Sequence, residues 1–151
     1  MREEPADGAA GTSLLAGFEA EIAALYPNWS PSAGPSAEPA DFAAPAGSFV
    51  VAYEDGVALG CGGLKRLDER SAEIKRMFVA PAARGRGVAR LILHELERIA
   101  AARGYSLVRL DTGRAQPHAL ALYQSEQYSA IGDYNGNPFA TYWFEKPLPS
   151  R

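Results

Sequence analysis

A chain of 151 residues, 47% hydrophobic and 22% charged, has the make-up of one ordinary globular domain with room for a single core. A net charge of −3 argues against a general nucleic-acid binder, and no apolar run is long enough to span a bilayer. The acidic start MREEPADGAAG does not read as a signal peptide, and the single cysteine, Cys61, cannot form an internal disulfide, so a reducing, cytoplasmic interior is the expected setting.

In chain order, residues 1–12 are small, acidic and glycine-containing, which predicts a frayed end. Leu14, Leu15, Phe18, Ile22 and Leu25 recur at helical spacing and predict a helix over 13–26, closed by Pro27. Five prolines then fall within 27–47. That segment is neither helix nor central strand, and its aromatic points Tyr26, Trp29 and Phe42 mark it as a flap that packs somewhere. SFVVAYE (48–54), an Asp55-Gly56 turn and VALGCGGLKRL (57–67) read as a hairpin. Gly60, Gly62 and Gly63 predict a bulge or a close backbone approach in its second strand. A third strand is expected over 73–79, completing a β-meander. Val88, Leu91, Ile92, Leu96 and Ile99 give an amphipathic helix over 84–103 with Gly104 as its stop. A strand at 106–111 should run parallel to 73–79 by the crossover rule. A helix at 118–127, a strand at 128–132, the polar loop DYNGNP and a final strand at 139–146 complete one domain over 1–151. The fold class is a mixed α/β sheet, mostly antiparallel around one parallel pair.

The stretch between the third strand and the long helix carries the chemistry. Arg84-Gly85-Arg86-Gly87 leads straight into a helix N-terminus, where unpaired amides and the helix dipole favour an anion. No Gly-Lys pair is present for a P-loop. A dinucleotide fingerprint lacks its third glycine, because Arg90 stands there, and the antiparallel strands before the loop do not suit a doubly wound sheet; Asp111 alone mimics the ribose contact. The remaining pattern is R/Q-x-x-G-x-G/A, filled by Arg84, Gly87 and Ala89.

On these residues the chain resembles the GNAT superfamily of acetyl-CoA-dependent N-acetyltransferases, small bacterial type. Leu110-Asp111-Thr112-Gly113, then Ala119-Leu120-Ala121-Leu122-Tyr123, is similar to that superfamily's next strand and helix. Tyr134 and Trp143-Phe144-Glu145-Lys146-Pro147-Leu148 resemble the end of such chains. The likeness covers most of 48–148. Gln116 followed by Pro117 departs from it where relatives often carry Asn.

The resemblance implies a V-shaped opening between the third strand and its parallel neighbour, flanked by helices. Backbone groups of Met77, Phe78 and Val79 would pair with the pantetheine of acetyl-CoA. The amides from Arg84 through Gly85, Arg86, Gly87 and Val88 to Ala89 would hold the pyrophosphate, with charge from Arg84 and Arg86 and a contact from Gln116. Arg86 reads equally well as a solvated loop residue. Tyr123 matches the general acid, its alternative being a core aromatic. Glu73 is the candidate base, direct or through water, its alternative being a strand residue paired with Lys75 or Arg66. An amide near Met77 or Phe78 would meet the oxyanion. Substrate walls are expected from Tyr26, Trp29, Phe49, Tyr134 and Tyr142, with the flap and the DYNGNP loop. The implied activity is direct acetyl transfer to a primary amine of a small molecule or amino acid. A non-catalytic acyl-CoA sensor and a protein N-acetyltransferase are the alternatives. No metal, nucleic acid or membrane is expected, and the protein would be a monomer or homodimer.

Overall fold

The computed structural model describes residues 1–34 and 37–149; Pro35 and Ser36, within the expected flap, lie outside them. Among the described residues three α-helices pack on a seven-stranded sheet of order β1-β2-β3-β4-β5-β7-β6. In chain order the elements are β1 (Arg2–Glu3), α1 (Ala9–Leu25), β2 (Ser48–Glu54), β3 (Val57–Arg66) and β4 (Ser71–Val79). Then follow α2 (Val88–Ala102), β5 (Leu107–Thr112), α3 (Pro117–Ser125), β6 (Ser129–Ile131) and β7 (Tyr142–Pro147).

Period-two alternation divides the apolar residues of the meander between two cores. Val50, Ala52, Leu64 and Ile74 face α2, which contributes Ile92, Leu93, Leu96 and Ile99. Phe49, Val51, Cys61 and Phe78 face the other way, toward Leu14 of α1 and Phe42 of a 3-10 turn at Pro39–Phe42. The glycines of β3 do what the pattern predicts. The ladder shifts register between Cys61 and Gly63, and a Cβ on Gly62 would come within 2.8 Å of Ile92, Leu96 and Met77. The bulge puts Arg76 of β4 at φ 58°, which re-aims the strand beyond it.

The parallel pair is short. Ser71–Glu73 of β4 pair with Leu107–Arg109 of β5, and beyond that the strands part. β5 instead pairs along its whole length with β7, from Leu107↔Pro147 to Thr112↔Tyr142. This parting creates the opening that the resemblance implies.

Four expectations need correcting. The first residues are not frayed: Arg2 and Glu3 pair with Val51 and Val50, and α1 begins at Ala9. The long helix starts at Val88 rather than 84, because Gly85 and Gly87 both hold φ +79°, a left-handed conformation that ends any helical run. The last strand starts at Tyr142, because Asn137 Oδ1 accepts a hydrogen bond from the Phe139 amide and turns the chain there. Finally, α3 ends at Ser125 rather than 127, and Gln127 takes a left-handed φ of 68°.

The proline-rich segment has two parts. Its second part is tied down, with Phe42 in the core, Tyr105 donating to the Ala46 carbonyl at 2.7 Å and Arg76 donating to that of Ala37 at 2.9 Å. Its first part, around Trp29, leans over the opening.

Candidate active site

A cleft of about 900 Å³ occupies the space where β4 and β5 part. One wall is 74–79 of β4, the other 111–113 and α3, and α1 with its following loop closes the top.

At one end stands the N-terminus of α2. Gly87 is its N-cap and supplies no side-chain cap, so the amides of the first turn lack intrahelical partners and carry the positive end of the dipole. Gly85, Gly87, Val88, Ala89 and Arg90 line the cleft here. Arg84 lines it too: its Nε donates to the Val79 carbonyl at 3.0 Å, its guanidinium pairs with Glu21 of α1, and it sits 5.7 Å from the centre of the Phe78 ring. Arg86 departs from expectation. It pairs with Glu54 and borders a separate hollow beside Met1 and His94, which is the solvated placement of the two readings.

Along β4, Met77, Phe78 and Val79 line the cleft as expected. Opposite them, Gln116 is the N-cap of α3, and its Oε1 accepts the Tyr26 hydroxyl at 3.2 Å. Tyr26 also packs edge-on against Phe139, 5.9 Å between centroids. This contact joins the end of α1 to the far wall.

Tyr123 of α3 reaches the cleft from the core, only 5% exposed and packed edge-on against Tyr128. Among the described residues nothing hydrogen-bonds to its hydroxyl. Burial, with the Asp111 charge second, pushes its pKa well above the usual phenol value.

The carboxylates are arranged differently from the sequence reading. Glu73 is 3% exposed and does not line the cleft. Its Oε2 accepts the Tyr134 hydroxyl at 2.5 Å and Asn135 Nδ2 at 3.1 Å, while Oε1 stands 3.4 Å from Lys75 Nζ. Asp111, one strand over, does line the cleft. Its Oδ2 accepts Asn135 Nδ2 at 2.6 Å and Asn137 Nδ2 at 3.3 Å. Burial pushes the Asp111 carboxyl above the usual aspartate value, against the two amide hydrogen bonds and Lys75, which pull it down. Beside it, Thr112 Oγ1 is buried without a hydrogen-bond partner among the described residues, and Thr112 also lines the cleft.

Of the expected substrate walls, Tyr26 and Trp29 line the cleft. Phe49 does not: at 1% exposure it is core, tilted against Phe42 at 6.1 Å. Tyr134 turns inward to Glu73 instead of facing the opening. Tyr142 lies at the start of β7, opposite Thr112 in the ladder, 37% exposed and outside the cleft. Asn137 of the DYNGNP loop lines it as expected, and Lys75, Asp111 and Phe139, which were not expected as walls, line it too. The signal available was the Asn- and Asp-rich DYNGNP loop, whose amides have the right chemistry to hold carboxylates. Among the described residues no His, Cys, Asp and Glu cluster could hold a metal ion, and no helix is long and apolar enough to cross a membrane.

Comparison with known proteins agrees with this geometry. The model of the acetyltransferase (GNAT) family matches residues 15–127. An IAA acetyltransferase from Azospirillum brasilense is 38% identical over 104 residues, covering 66% of this chain and 67% of that protein. A Klebsiella pneumoniae structure classed as an acyl-CoA N-acyltransferase superposes with TM-score 0.75 at 25% identity, over 97% of this chain and 95% of that one. A GNAT family acetyltransferase from Elizabethkingia anophelis, solved with acetyl-CoA bound, superposes with TM-score 0.67 at 17% identity, over 97% and 96% of the two chains. The parted strand pair and the uncapped helix facing it are thus those of the acyl-CoA N-acyltransferase fold. The chain belongs to the GNAT family of acetyltransferases.

Proposed function

We propose that this protein transfers the acetyl group of acetyl-CoA directly to the amino group of a small molecule, and that this acceptor carries a carboxylate, as a free amino acid does. The observation that carries the reading is the convergence of three features on one cleft: the uncapped N-terminus of α2, the unpartnered Tyr123 hydroxyl and the Asp111 carboxylate.

The residues present fit a CoA thioester. The α2 amides and the Arg84 guanidinium suit a pyrophosphate, and the β4 segment 77–79 suits an extended pantetheine arm. When bound, acetyl-CoA supplies an activated acyl group. Tyr123 is the group placed to donate its proton to the departing sulfur, since its hydroxyl faces the cleft without an internal partner among the described residues and stays protonated at working pH. Backbone amides near the β4 bulge stabilise the oxyanion.

The acceptor end is mixed in charge. Tyr26, Trp29 and Phe139 supply aromatic surface, Asp111 a negative group, and Lys75 and Arg76 positive ones. An amino acid would answer both signs at once, its ammonium at Asp111 and its carboxylate on the Lys75 side. The loop around Trp29 lines the cleft, which disfavours a protein substrate.

Two measurements test this. CoA should raise the melting temperature while ATP and NAD leave it unchanged, since only a ligand that binds the folded state stabilises it. A panel of free amino acids with acetyl-CoA should release free thiol and yield an acetylated product by mass spectrometry. CoA binding without product from any amine would support the sensing alternative instead.

A further inference from the structure

Resting on that amine-acetylating reading, we propose that Asp111 is the group that receives the acceptor's ammonium proton, and that Glu73 is a positioning residue that holds Asp111 in place through the 133–138 loop. The two carboxylates differ in access. All of the Glu73 contacts are internal, Oε2 to Tyr134 and Asn135 and Oε1 to Lys75, and its side chain is sealed from the cleft. Asp111 lines the cleft, and both of its hydrogen bonds fall on Oδ2, so Oδ1 accepts none among the described residues.

The loop connects them. Asn135 Nδ2 bridges Glu73 Oε2 and Asp111 Oδ2, while Asn135 Oδ1 accepts the Trp143 indole at 3.0 Å, which fixes the orientation of the amide. Asp133 Oδ1 closes the turn by accepting the amides of Asn135 and Gly136 at 3.0 and 2.7 Å. Glu73 therefore anchors the hinge of the loop, and the loop presents two amide donors that hold one oxygen of Asp111 and leave the other for a ligand.

The charged and titratable groups facing Asp111 come from four sides. Glu73 and Lys75 lie on β4, Tyr134 on the loop, Tyr123 on α3 and Tyr26 at the end of α1. Lys75 favours the Asp111 carboxylate and Glu73 opposes it, and the three tyrosines stay neutral where the carboxylate ionises.

The proton balance is complete with these groups. The ammonium gives one proton to Asp111 Oδ1, which passes it to solvent. The freed nitrogen attacks the thioester carbonyl carbon, the N–C bond forms and the C–S bond breaks. The nitrogen sheds a second proton, which replaces the one that Tyr123 gives to the sulfur. One proton leaves overall, along with the amide and the free thiol.

The test is the pH dependence of kcat/KM with acetyl-CoA and whichever free amino acid turns over best, for the wild type, Asp111→Asn, Asp111→Glu and Glu73→Gln. The wild-type acidic limb should lie above the ordinary aspartate range. Asp111→Asn should lose that limb and about 10²-fold in rate, with CoA affinity unchanged. Asp111→Glu should recover a limb at a different pH. Glu73→Gln should keep the limb but move it to lower pH, because a neighbouring negative charge is gone and Lys75 is released toward Asp111. An Asp111→Asn profile with the wild-type limb intact, or a Glu73→Gln profile without one, overturns the assignment. If Asp111→Asn no longer binds CoA, Asp111→Glu decides: a displaced limb supports the proposal and an unmoved one overturns it. A wild type that binds CoA yet acetylates no amine defeats the parent reading, and the assignment falls with it. The two failures are distinct, since one shows in the wild type and the other only in the variants.

Discussion

Tyr123 is held by packing and free at its tip: the ring is clamped between Tyr128 and Phe144, and the hydroxyl opens to the cleft. Removing only the oxygen should therefore leave the fold intact. Tyr123→Phe is expected to lower kcat about 10²-fold with CoA affinity unchanged, and equal turnover would remove its role as acid. Asp111 makes a second, thermodynamic prediction. Its folded pKa lies above the unfolded value, so the folded state holds the proton more tightly. The stability it contributes is full below the unfolded aspartate value of about 4 and is lost as pH rises through the folded value. At neutral pH the ionised group is a net cost to folding. Asp111→Asn should thus melt above the wild type at pH 7, with the gap closing in acid, while activity falls. A lower melting temperature at pH 7 would show instead that the carboxylate serves mainly as an anchor for the loop. Cys61 completes the residue picture: it is fully buried, its thiol pushed up to about 12 by desolvation, and it is the only cysteine, so no reactive thiol is at hand to carry an acetyl group.

Among the elements, α2 has most to do. Its apolar stripe buries Ile92, Leu93, Leu96 and Ile99 against the sheet, and its bare N-terminus faces the cleft. Both jobs depend on where it begins, which the two left-handed glycines decide. Gly87→Val would force a β-branched residue to φ +79°, a strain of about 1–2 kcal/mol. Re-aiming the first-turn amides should raise the CoA Kd roughly tenfold for each 1.4 kcal/mol of binding lost. An unchanged Kd would mean that the pyrophosphate is held elsewhere. Element type was readable throughout the central chain, because a short apolar run bounded by a turn marks 48–54 as a strand and a 3.6-residue period marks 88–99 as a helix. Boundaries were less readable. The start of α2 hinged on glycine φ angles, and that of β7 on one Asn side chain turning the backbone at Phe139. β1 was invisible because two residues carry no period, and its pairing with Val50 and Val51 is a tertiary event.

At the scale of the molecule, the cleft exists because β4 and β5 pair for three residues and then diverge, with β7 taking over the far side of β5. The strand-loop-helix order made the α2 end of the cleft legible from sequence, since its parts are neighbours in the chain. The opposite end was not legible in the same way. Asp111, Lys75, Asn137 and Phe139 meet there only after folding, and Phe49 and Tyr134, aromatics in plausible places, turn inward to the core and to Glu73. Residue type could not tell a wall from a core without the packing.

The central claim is that the cleft passes the acetyl group straight from CoA to an amine. Rapid mixing of the protein with excess acetyl-CoA, following free thiol with and without amino acid, tests it most directly. Thiol release is expected only when the amine is present, with no initial burst. A burst stoichiometric with protein in the absence of amine, or no release with any amine, would contradict it.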